Sequence, residues 1–200
     1  MDETTGRVRV AILISGAGSN MAALIDAAGA AGAPFQVAGV VANDPQASGL
    51  AIAQAKGVPI CAVDHRPFGR DREAHEAAIQ QLLEGWAVET VVLAGYMRRL
   101  TPWMVGRWRG RMLNIHPSLL PKYPGLDTHA RALAAGDTEA GCSVHLVTEG
   151  LDEGPVLARA AVPVLPGDTP GTLSQRVREA EHKLYPGTVA EFCRTLAASS

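Results

Sequence analysis

The sequence has few cysteines and no long apolar run. Its three cysteines are odd in number, widely spaced and without a CxxC pair, so neither a disulfide framework nor a zinc site is indicated. No apolar stretch approaches the roughly 20 residues that a membrane-spanning helix needs. Residues 1–10 also lack the basic region and the long apolar core of a signal peptide. We therefore expect a cytoplasmic protein without a membrane partner.

The sequence also lacks a large excess of charge of either sign. Eighteen basic and twenty acidic side chains leave a formal net charge of −2, so bulk electrostatics do not favour a nucleic acid partner. Hydrophobic residues make up 47% of the chain and charged residues 19%, which is the balance of a globular protein with a substantial core. Its length fits one domain, and no repeat or linker divides it.

Strand and helix signals alternate through the first half of the chain, and short β-branched runs indicate buried strands. The predicted strands lie at 8–14, 35–43, 58–63 and 89–96, and the predicted helices at 21–32, 49–56 and 70–84. Ser19 or Asn20 is expected to cap the first helix. The third helix is expected to bury one amphipathic side, made of Ala74, Ala77, Ala78 and Leu82. Such alternation implies parallel strands joined by right-handed crossovers.

The pattern changes after residue 100. Residues 112–129 begin as a strand and continue as a loop in which several prolines prevent a helix. Two extended runs at 141–149 and 155–164 flank a turn and are predicted to pair, and a last helix starts at about Thr172. The predicted fold is α/β: an open, mostly parallel sheet with helices on both faces and antiparallel pairing in the C-terminal half.

Residues 15–20, SGAGSN, lie between the first strand and the first helix. Free backbone N–H groups and the helix dipole can bind an anion there, and glycine lets a phosphate approach the backbone. A dinucleotide site would have a third glycine where Met21 stands, which weakens that interpretation. We predict a phosphate site, with an ordinary structural turn as the alternative.

Asn114 and His116 lie two residues apart on a predicted strand, so their side chains share a face. An Asn amide can donate a hydrogen bond to a developing oxyanion, and a His can exchange protons near neutral pH. Asp152 lies in the turn between the last two predicted strands; if this corner folds against the pair, its carboxylate favours the protonated form of His116. Four other histidines are interpreted as satisfied core or capping residues: His65, His75, His129 and His145.

Five segments together resemble the phosphoribosylglycinamide formyltransferase family: SGAGSN (15–20), VVLAGYMRRLTP (91–102), MLNIHPSLLPKYPG (112–125), SVHLVTEGLDEGP (143–155) and EHKLYP (181–186). The resemblance covers nearly the whole chain. It implies a Rossmann-like formyltransferase fold in one domain, 1–200, with a phosphate-binding half to about 100 and a catalytic, folate-binding half from about 101.

The resemblance implies that 10-formyltetrahydrofolate gives its formyl group to the amine of glycinamide ribonucleotide in purine biosynthesis, with no metal. Asn114 would hold the formyl oxygen, His116 would donate the proton, and Asp152 would tune the histidine. The implied partners are these two small molecules, and the implied state is a monomer or a homodimer.

The resemblance also implies binding residues. Gly18, Ser19 and Asn20 would bind the ribonucleotide phosphate and Glu181 its ribose, while Lys122 could add positive charge near the phosphate. The implied folate-binding residues are Arg72, Met97, Arg98, Arg99, Leu100, Asn114, Thr148, Glu149, Gly150, Leu151 and Asp152. Departures from the usual family pattern that leave the catalytic groups intact occur at Ala17, Asp127, Glu153 and Arg178.

Other functions stay open. A formyltetrahydrofolate hydrolase, a methionyl-tRNA formyltransferase or another amine formyltransferase would share the Asn-x-His pair. The hydrolases carry an extra N-terminal domain and the tRNA enzymes a C-terminal barrel, and this sequence starts and ends too close to its catalytic half to favour either. A non-catalytic nucleotide-binding module would need only residues 15–20.

Overall fold

The computed structural model describes residues 6–199. Residues 1–5, which belong to the N-terminal segment that argued against a signal peptide, lie outside the described residues. The strands are β1 (Val8–Ile14), β2 (Phe35–Ala42), β3 (Ile60–Ala62), β4 (Thr90–Leu93), β5 (Met112–His116), β6 (Glu139–Leu146) and β7 (Val156–Pro163). The helices are α1 (Ser19–Ala28), α2 (Gly49–Ala55), α3 (Arg72–Gly85), α4 (Pro102–Arg107), α5 (Thr128–Ala134) and α6 (Pro170–Ala198), with a 3-10 turn at Arg66–Phe68.

All seven strands form one sheet in the order β3-β2-β1-β4-β5-β6-β7. Strands β1 to β5 pair in parallel, whereas β6 pairs antiparallel with both β5 and β7. The predicted fold class is therefore confirmed. The chain first builds the sheet outward from β1 towards β3 and then returns to the other side of β1 with β4. Ligand crevices of open α/β sheets lie at such a reversal, outside the carboxyl ends of the strands.

Two apolar layers cover the sheet, one on each face. In β1, Val10 and Ile12 belong to the layer that contains α1 and α6, and Leu13 belongs to the layer that contains α3 and α4. Both faces of β1 are buried, which is why its sequence is continuously apolar rather than alternating. On α6, the buried Tyr185 hydroxyl donates to the Leu93 carbonyl at 2.9 Å, which joins this long helix to the end of β4. No helix within residues 6–199 is both long enough and apolar enough to cross a membrane.

Helix α1 begins differently from the prediction. Neither Ser19 nor Asn20 is a cap: Ser19 is the first helical residue, and Gly18 occupies the N-cap position in the left-handed conformation, with φ of 70°. No side chain caps this helix end in the described part of the chain. Glycine suits this N-cap position for a steric reason, because a Cβ on Gly18 would approach the Gly49 Cα to 3.1 Å. The first N–H groups of α1 are thus left without a side-chain acceptor.

The predicted side of α3 is only partly buried: Leu82 packs against the core, and Ala77 and Ala78 are half-buried. Ala74 is exposed, and the buried residues are His75, Glu76, Ile79 and Leu83. The apolar pattern missed this face because half of it is polar. His75 Nε2 bonds to the Val63 carbonyl at 2.9 Å, and Glu76 accepts from Thr101 N at 2.9 Å, so both polar groups are satisfied in the interior.

Candidate active site

Two adjoining pockets open at the carboxyl edge of the sheet, at the reversal between β1 and β4. The first, with a volume of ≈ 250 Å³, is lined by residues 15–20 and by the segment that follows β4. The second, of ≈ 440 Å³, extends over the ends of β4, β5 and β6. Gly95 and Met97 line both pockets, so the two form one crevice.

The first pocket contains the predicted phosphate residues Gly18, Ser19 and Asn20. Its loop is tied to neighbouring segments, since Ser15 Oγ accepts from Met97 N at 2.8 Å and Gly49 N donates to the Gly16 carbonyl at 3.0 Å. The uncapped start of α1 lies at this pocket. Backbone donors and the positive end of the helix dipole can therefore hold an anion here.

Glu181 on α6 lies against this loop. Its Oε2 accepts from Asn20 Nδ2 at 2.8 Å, and the residue is only 8% exposed. Burial raises the pKa of Glu181, although the Asn20 hydrogen bond and the nearby charge of Arg178 oppose the shift. Two predicted substrate residues that are 161 positions apart are thus in direct contact.

The structure brings Asn114, His116 and Asp152 together in the wall of the second pocket. His116 Nδ1 lies 3.3 Å from Asp152 Oδ2, and the two side chains are 7% and 8% exposed. His116 Nε2 lies 2.9 Å from the Tyr123 carbonyl. Because both ring nitrogens face oxygen acceptors, the ring can donate to both only when it carries two protons.

His145 belongs to the same cluster, which the sequence did not indicate. It is buried and hydrogen-bonded, as expected of a core residue, but it also lines the second pocket. Its Nδ1 lies 2.9 Å from the Leu146 carbonyl, and its Nε2 lies 3.2 Å from Asn114 Nδ2 and 3.5 Å from Asp152 Oδ1. The missing signal was the pairing of β5 with β6, which places His145 directly opposite Asn114.

Asp152 is held as a carboxylate. Burial acts to raise the pKa of Asp152, but hydrogen bonds from His145 and from Gly125 N, at 2.9 Å, together with the charge of His116, lower it overall. Asp152 adopts the left-handed conformation, with φ of 55°. A non-glycine residue is uncommon there, and such conformations concentrate at functional sites.

The chain is similar to proteins of one known enzyme family. The formyl transferase family matches residues 8–189. The chain belongs to the formyl transferase family. A phosphoribosylglycinamide formyltransferase from Escherichia coli is 44% identical over 92% of this chain and 87% of its own length. The crystal structure of a phosphoribosylglycinamide formyltransferase from Brucella melitensis has a TM-score of 0.90 and 52% identity, covering 94% of this chain and 96% of that one.

The chain also matches much longer relatives. The trifunctional purine biosynthetic protein adenosine-3 of Drosophila melanogaster is 47% identical over 92% of this chain, which spans only 14% of that protein. The human protein of the same name is 43% identical, and the chain spans 18% of it. The family that the sequence motifs indicated is thus confirmed.

Most of the predicted folate-binding residues of this formyl transferase line the second pocket: Met97, Arg98, Arg99, Leu100, Asn114, Thr148, Glu149, Gly150, Leu151 and Asp152. Arg72 does not line this pocket; it is exposed, and its Nη1 donates to the carbonyl of Arg99, a lining residue, at 3.2 Å. The exposed apolar side chains of Met97, Leu126 and Leu151 form part of the lining, so the pocket suits a flat, partly apolar ligand.

The structure also places four further positions of the formyl transferase chain that the sequence singled out. Lys122 lies outside both pockets and pairs with Asp137 at 2.9 Å, which does not support a role for it near the phosphate. Ala17 lines the first pocket and Asp127 the second. Burial raises the pKa of the Cys142 thiol to about 12, which keeps it protonated and unreactive at neutral pH.

No group of three or more His, Cys, Asp or Glu side chains within residues 6–199 is arranged to hold a metal ion.

Gly154 secures the corner that carries Asp152, and we expect Gly154→Ala to displace it. A Cβ at this position would lie 1.7 Å from the Leu146 carbonyl oxygen, so the backbone must move. We expect the free energy of unfolding to fall by about 1–3 kcal/mol, as for other overpacked sites, with a loss of turnover as Asp152 leaves His116. Urea unfolding and a turnover assay check this.

Gly187→Ala is the matched control, because a Cβ there meets nothing within 4 Å and the residue lies inside α6. Alanine favours a helix over glycine by about 1 kcal/mol. Equal stability and turnover in Gly154→Ala and Gly187→Ala would contradict the assigned packing.

Proposed function

We propose that this protein transfers the formyl group of 10-formyltetrahydrofolate to the amine of glycinamide ribonucleotide, giving formylglycinamide ribonucleotide and tetrahydrofolate in purine biosynthesis. The observation that carries the proposal is the cluster of half-buried Asn114 with the buried side chains of His116 and Asp152, in a crevice whose other end can hold an anion. The names of the full-length relatives from Escherichia coli and Brucella melitensis support the same acceptor.

In this proposal the two substrates share the crevice. The ribonucleotide phosphate binds at the start of α1, where Ser19 and Asn20 add side-chain donors, and Glu181 accepts from the ribose hydroxyls. The folate occupies the second pocket. Both halves of the chain contribute to both ends of the crevice. Glu181, from the C-terminal half, contacts Asn20 at the first pocket, and residues 97–100, from the N-terminal half, line the second pocket.

The reaction requires stabilisation of negative charge and the movement of one proton. The amine nitrogen attacks the formyl carbon, a C–N bond forms, and the carbonyl oxygen becomes an oxyanion. The bond from this carbon to N10 of the folate then breaks while a proton lost by the amine reaches that nitrogen. No metal takes part in this scheme.

Asn114 and His116 supply these two functions. The Asn114 amide nitrogen carries two hydrogens, and one of them can be donated to the formyl oxygen in the second pocket. His116 relays this proton: its Nδ1–H protonates the leaving nitrogen, and the ring regains a proton from the attacking amine. The Asp152 carboxylate next to Nδ1 stabilises the imidazolium that this step requires.

Release of tetrahydrofolate, followed by absorbance with and without glycinamide ribonucleotide, tests the proposal. We expect release only when the amine is present. Release without the amine would indicate a hydrolase, and phosphate binding without release in either case would indicate a binding module; each result contradicts the proposal. The cytoplasmic location and the monomeric or homodimeric state stay predictions.

A further inference from the structure

The orientation of the His116 ring depends on a backbone carbonyl in the proline-rich loop. His116 Nε2 lies 2.9 Å from the Tyr123 carbonyl oxygen, which accepts the Nε2 proton. This contact directs Nδ1 towards Asp152. If the ring turned over, a carbon would take the place of Nδ1 and the proton would face away from the cleft. The Tyr123 carbonyl therefore favours the ring orientation in which Nδ1 points towards Asp152.

Tyr123 presents this carbonyl from an uncommon conformation. Its φ is 55°, in the left-handed region that non-glycine residues rarely adopt. Such a conformation persists only when neighbouring contacts hold it. The carbonyl direction must therefore be maintained by interactions of Tyr123 with residues outside the cleft.

The Asp137 side chain makes one such interaction. The Tyr123 hydroxyl donates to Asp137 Oδ2 at 2.8 Å, and Lys122 Nζ donates to Asp137 Oδ1 at 2.9 Å. The hydrogen bonds from Lys122 and Tyr123 lower the pKa of Asp137, so it is a carboxylate at neutral pH. Asp137 is itself fixed just after α5, where its N–H donates to the Ala132 carbonyl at 3.1 Å.

The Tyr123 ring is held as well. The Arg131 guanidinium lies over it at 5.1 Å from the ring centre, and Arg131 Nη1 donates to the Pro124 carbonyl at 2.6 Å. Tyr123 and Asp137 both lie outside the two pockets. Neither can touch a substrate there, so any effect on the reaction is indirect, and His116 is the member of the catalytic cluster that the Tyr123 carbonyl contacts.

We propose that Tyr123 and Asp137 are positioning residues, whose hydrogen bond holds the Tyr123 carbonyl against His116 and so fixes the orientation of the catalytic imidazole. The expected fall in kcat rests on the proposed function, whereas the expected change in the orientation of the His116 ring does not. The contact couples α5 to the end of β5 through one tyrosine.

Tyr123→Phe and Asp137→Asn test the proposal from both sides of the same contact. We expect each to lower kcat by about 10-fold, the effect of losing one charge-assisted hydrogen bond, with the KM of both substrates within about twofold of wild type. The double variant should be no slower than the slower single variant, because both changes remove the same contact. Lys122→Met is the matched control: it removes the other partner of Asp137, and kcat should stay within about twofold.

A second readout needs no substrate. Nitrogen-15 NMR of the imidazoles in wild type should show His116 with a protonated, hydrogen-bonded Nε2, and this signal should shift or broaden in Tyr123→Phe and in Asp137→Asn. His75, whose Nε2 bonds to the Val63 carbonyl, serves as the internal reference and should not change. If the wild-type protein transfers no formyl group, the proposed function is overturned, but the NMR measurement still decides whether Tyr123 and Asp137 fix the His116 ring.

Unchanged His116 signals together with unchanged kcat in both variants would overturn the inference. A lower melting temperature with wild-type kcat and wild-type His116 signals would also overturn it, since it would reveal a purely structural contact. If Tyr123→Phe does not fold, Asp137→Asn carries the same test, and Asp137→Glu should recover part of kcat by restoring a carboxylate.

Discussion

His116→Ala is expected to lower kcat for formyl transfer by about 10²- to 10⁴-fold, the usual contribution of a positioned acid or base. The alanine variant lacks the imidazole, so no side chain is left at this position to protonate the leaving nitrogen. Asp152 remains in place but has no proton to offer, because its pKa is lowered and it stays a carboxylate at neutral pH. Steady-state kinetics with both substrates saturating measures the effect.

The protein should stay folded in this variant. Asp152 keeps the Gly125 N–H and His145 as partners, and only the Tyr123 carbonyl loses its donor. An unpaired buried acceptor costs about 1–3 kcal/mol, less than the 5–15 kcal/mol of a typical domain. His129→Ala, which removes an imidazole outside both pockets, is the control and should keep wild-type kcat. Near-normal turnover of folded His116→Ala would sink the assignment of the proton donor.

Asn114→Ala is expected to lower kcat by about 10²- to 10³-fold, as is usual when one oxyanion donor is removed. The amide interacts with the formyl oxygen most strongly once that oxygen carries charge, so the loss should appear in kcat more than in the affinity for the folate. Equilibrium binding of a non-reactive folate analogue should therefore change by much less than the rate. The two measurements together separate binding from catalysis.

The outcome that contradicts this role is specific. If Asn114→Ala raises the KM for the folate and leaves kcat unchanged, then Asn114 binds the ground state and the transition state equally. His145 would then have to be considered as the oxyanion donor, because its Nε2 lies 3.2 Å from the Asn114 amide and faces the same pocket.

Several parts of the site follow from local sequence alone. The period of two along a strand put Asn114 and His116 on one face, and the glycines of residues 15–20 marked the turn between β1 and α1. The motifs around them also indicated the family, which the relatives confirm. These are short-range properties, decided by residues within a few positions of one another.

The errors have a common origin. The buried side of α3 was missed because Glu76 and His75 are buried with partners, Thr101 and Val63, that lie on other elements. Ser19 was taken as a cap because its residue type favours that position, whereas close approach of Gly18 to Gly49 decided the local conformation. In each case a contact from another segment overrode a local preference.

The sequence by itself determined the alternation of strands and helices, the shared face of Asn114 and His116, and the family. Only the tertiary structure decided that Asp152 lies 3.3 Å from His116, that His145 faces Asn114, and that the Tyr123 carbonyl lies 2.9 Å from His116 Nε2. These contacts depend on the register of β6 against β5 and on the path of the proline-rich loop. Periodicity reports which face a side chain takes on its own element, whereas packing between distant segments decides what that side chain meets.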